Sequence, residues 1–278
     1  MKNTYIKSPL NYVGGKYKLL PQIIPLFPKK IDAFVDLFGG GFNVGINVNA
    51  NRIIYNDLEN HVVELLKYFK DKDTNDLLSE IDKLIDRFNL SKENAEGFNQ
   101  LREYYNEENN NPIVFYTMIC YAFNYQIRFN QNGKYNMPFG KDRSSFNPSL
   151  RQKFIAFSET LHEKNVFFSN ISFEKFNFDE LKKGDFVYAD PPYFNSVASY
   201  NEQGGWNEER EKALLMNLDE LNQKGIYFAL SNNLKYDNPY LDEWKDKYNV
   251  HYLNGDYSNC NYHKIDRSKD CEVLITNY

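Results

Sequence analysis

The stretch Phe34-Val35-Asp36-Leu37-Phe38-Gly39-Gly40-Gly41-Phe42-Asn43 decides the architecture: an apolar run too short for a helix enters three glycines, and a helix is predicted beyond them. Six more short runs rich in Val, Ile, Phe and Tyr lie at 52–55, 166–169, 185–189, 226–230, 250–253 and 272–276, which with 33–38 makes seven strands. Several are apolar on both alternating positions, as expected of strands buried beneath helices on two faces. Helical periods separate them. Leu58, Val62, Leu65, Leu66 and Phe69 share one face, as do Leu214, Leu215, Leu218 and Leu221, for which Asn207 is the expected N-cap and Gly225 the stop. Strand–helix alternation predicts an α/β fold with right-handed crossovers and a mainly parallel sheet. Residues 254–271 break the rule. They are polar, Asn-rich and without apolar period, so the last two strands are expected to pair antiparallel.

From Asp71 to Lys153 the pattern changes. Amphipathic periods at 77–88 and 98–105 and an apolar run at 113–123 predict three helices. Weak alternation follows at 124–140 around Gln131-Asn132-Gly133, which predicts a β-hairpin. The chain therefore divides into a sheet domain, 1–70 with 154–278, and a helical insertion, 71–153, carrying an exposed hairpin.

The chain has 278 residues, with 33 Lys and Arg against 38 Asp and Glu, a net charge of −5. With 22 Tyr, 22 Phe and 2 Trp it is too aromatic to stay unstructured. No run approaches the ~18 apolar residues of a membrane span, and the N-terminus lacks the apolar core of a secretory leader. Three cysteines without a CxxC pair make no disulfide framework. A cytoplasmic protein is expected. Cys260, His263, Cys271 and the more distant His251 have no regular zinc spacing, so no metal is expected.

Chemistry concentrates in three places. Asp190-Pro191-Pro192-Tyr193 directly follows the run 185–189, and open α/β sheets bind ligands just beyond the carboxyl ends of their strands. Two prolines remove two N–H donors and leave carbonyls as acceptors, while Asp190 adds a carboxylate and Tyr193 an aromatic face. Such a group suits a planar substrate bearing an amino group, although Asp-Pro-Pro alone is also ordinary turn chemistry. The glycine turn lets the backbone approach a bound cofactor, and Asp57, after the second strand, is placed to accept from ribose hydroxyls. The full dinucleotide fingerprint is missing, because Val44 stands where its third glycine belongs. Finally, Asn11-Tyr12-Val13-Gly14-Gly15-Lys16 offers an aromatic, a glycine turn and a lysine to bracket a cofactor carboxylate.

Taken in order, Asn-Tyr-x-Gly-Gly-Lys, Asp36-x-Phe38-Gly-Gly-Gly, Asn56-Asp57 and Asp-Pro-Pro-Tyr make a sequence that resembles the Dam-type (alpha group) DNA adenine methyltransferases. That family places its target-recognition insert between cofactor-binding and catalytic motifs. Arg128-x-Asn130-x-x-Gly133 and Pro138-Phe139-Gly140 look like its DNA-reading segment, and 272–278 like its closing strand, so the likeness spans almost the whole chain. The resemblance implies a Rossmann-like class I methyltransferase fold: a mixed seven-stranded sheet, its last strand antiparallel, with a target-recognition insertion. It implies a site-specific DNA adenine methyltransferase with S-adenosylmethionine as cofactor and double-stranded DNA as partner. A cognate restriction endonuclease joins them where the enzyme serves a restriction–modification system. Cofactor contacts are implied for Tyr12, Lys16, Asp36, Phe38, Gly39, Asp57, Phe173 and Asp190, with Tyr200 helping to close the pocket. Asp190, Pro191, Pro192 and Tyr193 form the implied catalytic group. The implied DNA face comprises Asn11, Gln126, Arg128, Asn130, Lys134, Asn136, Pro138, Lys141 and Arg143.

Between Tyr125 and Phe154 six basic residues (Arg128, Lys134, Lys141, Arg143, Arg151 and Lys153) face one acid, Asp142, which concentrates positive charge for DNA in an acidic chain. Arg128 is the expected guanine reader. Family members that read GATC often carry a lysine where Asn11 stands, an apolar residue at Gln126 and an aromatic at Asp142. GATC and other adenine-containing sites both stay open. Alternatives to adenine methylation are methylation of cytosine's exocyclic amino group and a DNA-binding protein without catalysis. A nicotinamide oxidoreductase is disfavoured by the incomplete fingerprint and the final antiparallel pair. The sequence carries no signal of oligomeric state.

Overall fold

A computed structural model describes residues 5–107, 110–195, 205–253 and 271–278. The seven runs form one sheet: β1 (Ala33–Asp36), β2 (Arg52–Asn56), β3 (Val166–Ser169), β4 (Phe186–Ala189), β5 (Tyr227–Asn233), β6 (Asn249–Tyr252) and β7 (Glu272–Thr276). Their order is β3-β2-β1-β4-β5-β7-β6. Strands β1 to β5 are parallel, and β7 pairs antiparallel with both β5 and β6. The fold is thus a Rossmann-like α/β sheet with the antiparallel last strand that the missing crossover helix predicts.

Alternation along the strands divides the core. Phe34, Ile53, Tyr55, Phe186, Tyr188 and Leu274 belong to one cluster with α1 (Leu20–Ile23), α2 (Asn60–Asp71), α3 (Thr74–Arg87), α4 (Ala95–Glu107), α5 (Pro112–Tyr121) and α6 (Pro148–Glu163). Val35, Val187, Ala189, Leu230, Val273 and Ile275 belong to the other, with α7 (Glu208–Gln223) and α8 (Pro239–Trp244). Phe69 of α2 packs edge-on against Tyr116 of α5 (5.2 Å) and Phe154 of α6 (5.1 Å), so the insertion helices and one sheet face share a continuous apolar core. Asn207 caps α7 as read from the sequence, accepting from the Arg210 N–H at 2.9 Å. Among the described residues no helix is long and apolar enough to cross a membrane.

Two local expectations need correction. The helix predicted after the glycine turn is a single 3-10 turn, Gly45–Asn47. The turn itself occupies the chain to Val44 and β2 opens at Arg52, which leaves no length for a packed helix; Phe157 of α6 covers Phe42 instead (6.5 Å). The segment 124–140 turns back on itself with the isolated antiparallel bridges Ala122–Phe139 and Phe129–Tyr135 rather than a continuous ladder. The cross-strand bonds of the turn are Asn130 N–H to the Lys134 carbonyl (2.8 Å) and Asn136 N–H to the Arg128 carbonyl (3.1 Å), and side chains of α4 satisfy the outward-facing backbone groups. Asn106 exchanges two hydrogen bonds with the Tyr135 backbone (2.8 and 3.0 Å), and Arg102 Nη1 donates to the Met137 carbonyl (3.0 Å). Tyr135 and Met137 are buried as a result, so the hairpin is anchored along one side.

The chain runs from β1 outward through β2 to β3, then returns to β4 on the other flank of β1. The topological switch therefore lies between the carboxyl ends of β1 and β4, where the Leu37 N–H donates to the Tyr188 carbonyl (3.0 Å). Both the glycine turn and Asp190-Pro191-Pro192-Tyr193 leave the sheet at this point.

Candidate active site

A cavity of about 730 Å³ opens at the switch point, lined by residues 11–16, 36–41, 56–59 and 190–193. The glycines are needed for close packing. A Cβ on Gly39 would lie 2.2 Å from the ring of Tyr55, which is fully buried and donates from Oη to the Gly40 carbonyl (2.7 Å). On the opposite side a Cβ on Gly40, whose φ is +47°, would meet the Tyr12 ring at 2.9 Å. Two aromatic rings thus grip the turn. Asp57 holds it as well: Oδ2 accepts from the Gly40 N–H (2.7 Å) and Oδ1 from the Glu59 N–H (2.8 Å). Asp36, buried at the end of β1, accepts from the Gly45 N–H at 3.0 Å.

Asp190 Oδ1 pairs with Lys16 Nζ at 2.8 Å, and the lysine is only 5% exposed. The same ammonium donates to the Gly14 carbonyl (2.9 Å) and lies 5.1 Å from the centre of the Tyr193 ring. Tyr193 is pinned from behind. Its Oη donates to Glu272 Oε2 (2.9 Å), and Glu272 Oε1 accepts from Asn233 Nδ2 (2.9 Å), so β5 and β7 orient the ring.

Burial governs the charges here. It pushes Asp36 up to about 7, helped by repulsion from Asp190 and Asp57 and opposed by the Gly45 hydrogen bond. It likewise raises Asp57 to about 6, against the backbone bonds from Glu59 and Gly40. Asp190 rises to about 6 because burial outweighs the attraction of Lys16. Three buried carboxylates at the cavity, of which Asp190 alone pairs with the Lys16 ammonium, favour a ligand that brings positive charge.

The remaining wall is aromatic. The Phe38 and Phe173 rings lie 5.5 Å apart, and Trp206 contacts both, at 5.7 and 5.4 Å. Trp206 was missed by sequence reasoning, since it stands outside every periodic run and motif. Glu272 was read only as the start of a strand. A further missed contact joins the two sides of the cavity: His61 Nδ1 lies 2.6 Å from Glu59 Oε1, and its ring stacks on Phe129 at 3.9 Å.

Tyr12, Lys16, Asp36, Phe38, Gly39, Asp57, Phe173, Asp190, Pro191, Pro192 and Tyr193 all line this one cavity. Tyr200, Cys260 and His263 lie outside the described residues. Of the residues expected to face DNA, Asn11, Arg128 and Asn130 reach the cavity wall, together with Ile127, Phe129 and Gln131. Asn11 Nδ2 donates to the Asn124 carbonyl (2.7 Å), which ties the first motif to the segment 124–140. Arg128 forks onto Asn136, Nε to Oδ1 (2.8 Å) and Nη2 to the carbonyl (2.9 Å). The Asn130 side-chain oxygen accepts from the N–H groups of Asn132 (2.9 Å) and Lys134 (3.0 Å), so it builds the turn. Gln126 and Asn136 are half-buried, while Lys134, Pro138, Lys141 and Arg143 are exposed away from the cavity. The basic cluster is smaller than the sequence count suggests, because Arg151 on α6 is paired with Asp82.

A family profile described as D12 class N6 adenine-specific DNA methyltransferase matches residues 12–259. The type II methyltransferase M.FokI of Planomicrobium okeanokoites is 54% identical over 99% of this chain, and the modification methylase StsI of Streptococcus sanguinis is 43% identical over 99%. The DNA adenine methylase of Escherichia coli K12 is 25% identical over 87% of this chain and 85% of its own length. This chain spans 43% of the length of the first two relatives.

Proposed function

Since the chain belongs to the D12 class N6 adenine-specific DNA methyltransferases, we propose that it transfers a methyl group from S-adenosylmethionine to the exocyclic amino group of adenine in duplex DNA. One observation carries the reading. The cofactor motifs, Asp190-Pro191-Pro192-Tyr193 and the segment around Arg128 converge on a single cavity at the topological switch. Identity to relatives named as type II or modification methylases (54% and 43%) exceeds that to a Dam enzyme (25%). This favours a restriction-system role with a cognate endonuclease as partner, and an adenine-containing site other than GATC.

The residues present fit S-adenosylmethionine. Lys16 matches its carboxylate, the acidic wall matches its ammonium and sulfonium, Asp57 matches the ribose, and Phe173 borders the purine, with Tyr12, Phe38 and Gly39 shaping the floor. When bound, this cofactor supplies a methyl group already activated by its sulfonium. The protein supplies orientation and charge. Adenine's amino nitrogen is a poor nucleophile because its lone pair is delocalised into the ring. The Asp190 carboxylate and the Pro191 carbonyl accept hydrogen bonds from its two N–H groups and favour a pyramidal nitrogen with a localised lone pair. Once that nitrogen is methylated and S-adenosylhomocysteine is the leaving group, the nitrogen keeps one hydrogen and sheds the other as a proton to solvent. The base leaves the duplex at a cost of a few kcal/mol. Stacking on the Tyr193 ring returns about 1–3 kcal/mol of that. Residues 71–153 read the DNA, and 1–70 with 154–278 carry the reaction, in the cytoplasm.

Transfer of labelled methyl to DNA, followed by identification of the modified base, tests the reading. N6-methyladenine is expected; N4-methylcytosine would move the enzyme to the cytosine reaction, and DNA binding without transfer would remove catalysis. Asp190 is a charged acceptor only when ionised, and burial pushes its carboxyl up to about 6. The single-turnover rate is therefore expected to fall about tenfold per pH unit below that value and to level off above it. A flat profile between pH 5 and 8 contradicts the role.

Arg128 lines the cavity with its guanidinium already oriented by Asn136. Arg128→Ala is expected to lose about 10- to 100-fold on the preferred site and little elsewhere, relaxing sequence preference. Lys153→Ala, on α6, lowers methylation modestly and evenly across sequences. Equal loss on all sequences in the Arg128 variant would reassign that residue to phosphate binding.

A further inference from the structure

The first turn of α7 carries Glu208, Glu209 and Glu211. Glu208 pairs with Lys212 at the surface (2.6 Å), as acids at a helix N-terminus commonly do. Glu211 instead turns inward and is 1% exposed. Its Oε2 accepts from the indole Nε1 of Trp206, and its Oε1 accepts from Asn238 Nδ2 at 2.8 Å. Both donors are neutral. A carboxylate withdrawn from water into such company is expensive, and packing alone would be served as well by an apolar residue beside Leu214, Leu215 and Leu218.

The cost has a use at the other end of the hydrogen bond. Trp206 directly precedes the Asn207 cap of α7 and among the described residues belongs to no strand or helix, yet its ring closes a triangle with Phe38 and Phe173 on the cavity wall. Asn238 in turn cannot rotate freely, because its Oδ1 caps α8 by accepting from the Leu241 N–H (3.1 Å). We infer that Glu211 is a positioning residue, which fixes Trp206 as the third aromatic wall of the pocket for the cofactor's purine. This rests on the cofactor reading proposed above and adds two residues to it: Trp206 as a stacking surface and Glu211 as its anchor.

Binding of S-adenosylhomocysteine to the full chain, measured by titration calorimetry, tests it without reference to turnover. Trp206→Leu is expected to weaken binding about thirtyfold, within the range of aromatic–base stacking. Glu211→Leu is expected to weaken it about tenfold through the freed indole. Glu211→Gln should lose only about threefold, because its amide keeps one acceptor but turns a donor toward the other partner. The double variant Trp206→Leu/Glu211→Leu should bind no worse than Trp206→Leu alone, since the anchor then has nothing to hold. Multiplying losses in the double variant, or full affinity in folded Glu211→Leu, would overturn the inference. Should Glu211→Leu fail to fold, the same cycle with Glu211→Gln decides. The chain has 2 tryptophans, so Trp244→Phe isolates the emission of Trp206. Emission that changes on ligand addition is expected, and emission indifferent to bound ligand would place the indole off the pocket. Wild-type protein that does not bind would overturn the cofactor reading and this inference together.

Discussion

Asp190→Ala is expected to lower methyl transfer by at least about a thousandfold while binding of S-adenosylhomocysteine survives in part. In the proposed mechanism the carboxylate is the charged half of the pair of acceptors offered to the amino group, and alanine leaves only the Pro191 carbonyl. The cofactor contacts proposed for Lys16, Asp57, Phe38 and Phe173, which line other parts of the cavity, are expected to remain. Asp190→Asn keeps one neutral acceptor and should fall between the wild type and alanine. Its amide also ends the ion pair that Lys16 makes at 2.8 Å. Single-turnover rates beside calorimetric affinities separate the two effects. Near-normal turnover in Asp190→Ala would remove the catalytic assignment, whatever happened to binding.

Gly39→Ala carries the second large effect, and it acts through packing. The added Cβ would sit 2.2 Å from the Tyr55 ring, a distance no pair of atoms sustains. Tyr55 cannot step aside, being fully buried and edge-on against Phe42 (5.1 Å) with its hydroxyl on the Gly40 carbonyl. The turn must therefore shift, and with it the Gly40 N–H that Asp57 holds. Overpacking of this kind costs about 1–3 kcal/mol in stability. The displaced floor is expected to weaken S-adenosylhomocysteine about a hundredfold, since small misplacement of a binding surface is felt steeply. Thermal melting and calorimetry measure the two losses. Tyr55→Leu in the same chain opens the space and should restore part of both. An alanine variant with wild-type affinity would show that the turn has slack.

The motif residues were legible because each sits where a local rule puts it. Asp190 follows a buried strand, Asp57 follows the next strand after the glycine turn, and Lys16 belongs to a compact turn. Their side chains meet because strand ends β1, β2 and β4 are neighbours in the sheet. Trp206, Glu211 and Glu272 obey no such rule. Glu272 acts through Tyr193 and Trp206 packs on Phe38 and Phe173, all distant in sequence, while Glu211, an acid in a first helical turn, reads as a surface charge until its burial is seen.

Alternation of short apolar runs with helical periods was enough to determine seven strands, their largely parallel sense and the antiparallel last pair, because these depend on which faces a segment must bury. Tertiary structure alone decided that the residues after the glycine turn form only one 3-10 turn, and that α4 side chains anchor the outer edge of the hairpin. It also decided that a glutamate anchors an indole at the cavity wall. Periodicity records the demand of a segment for burial, whereas the choice of partner for a polar group is settled only when distant segments arrive beside it.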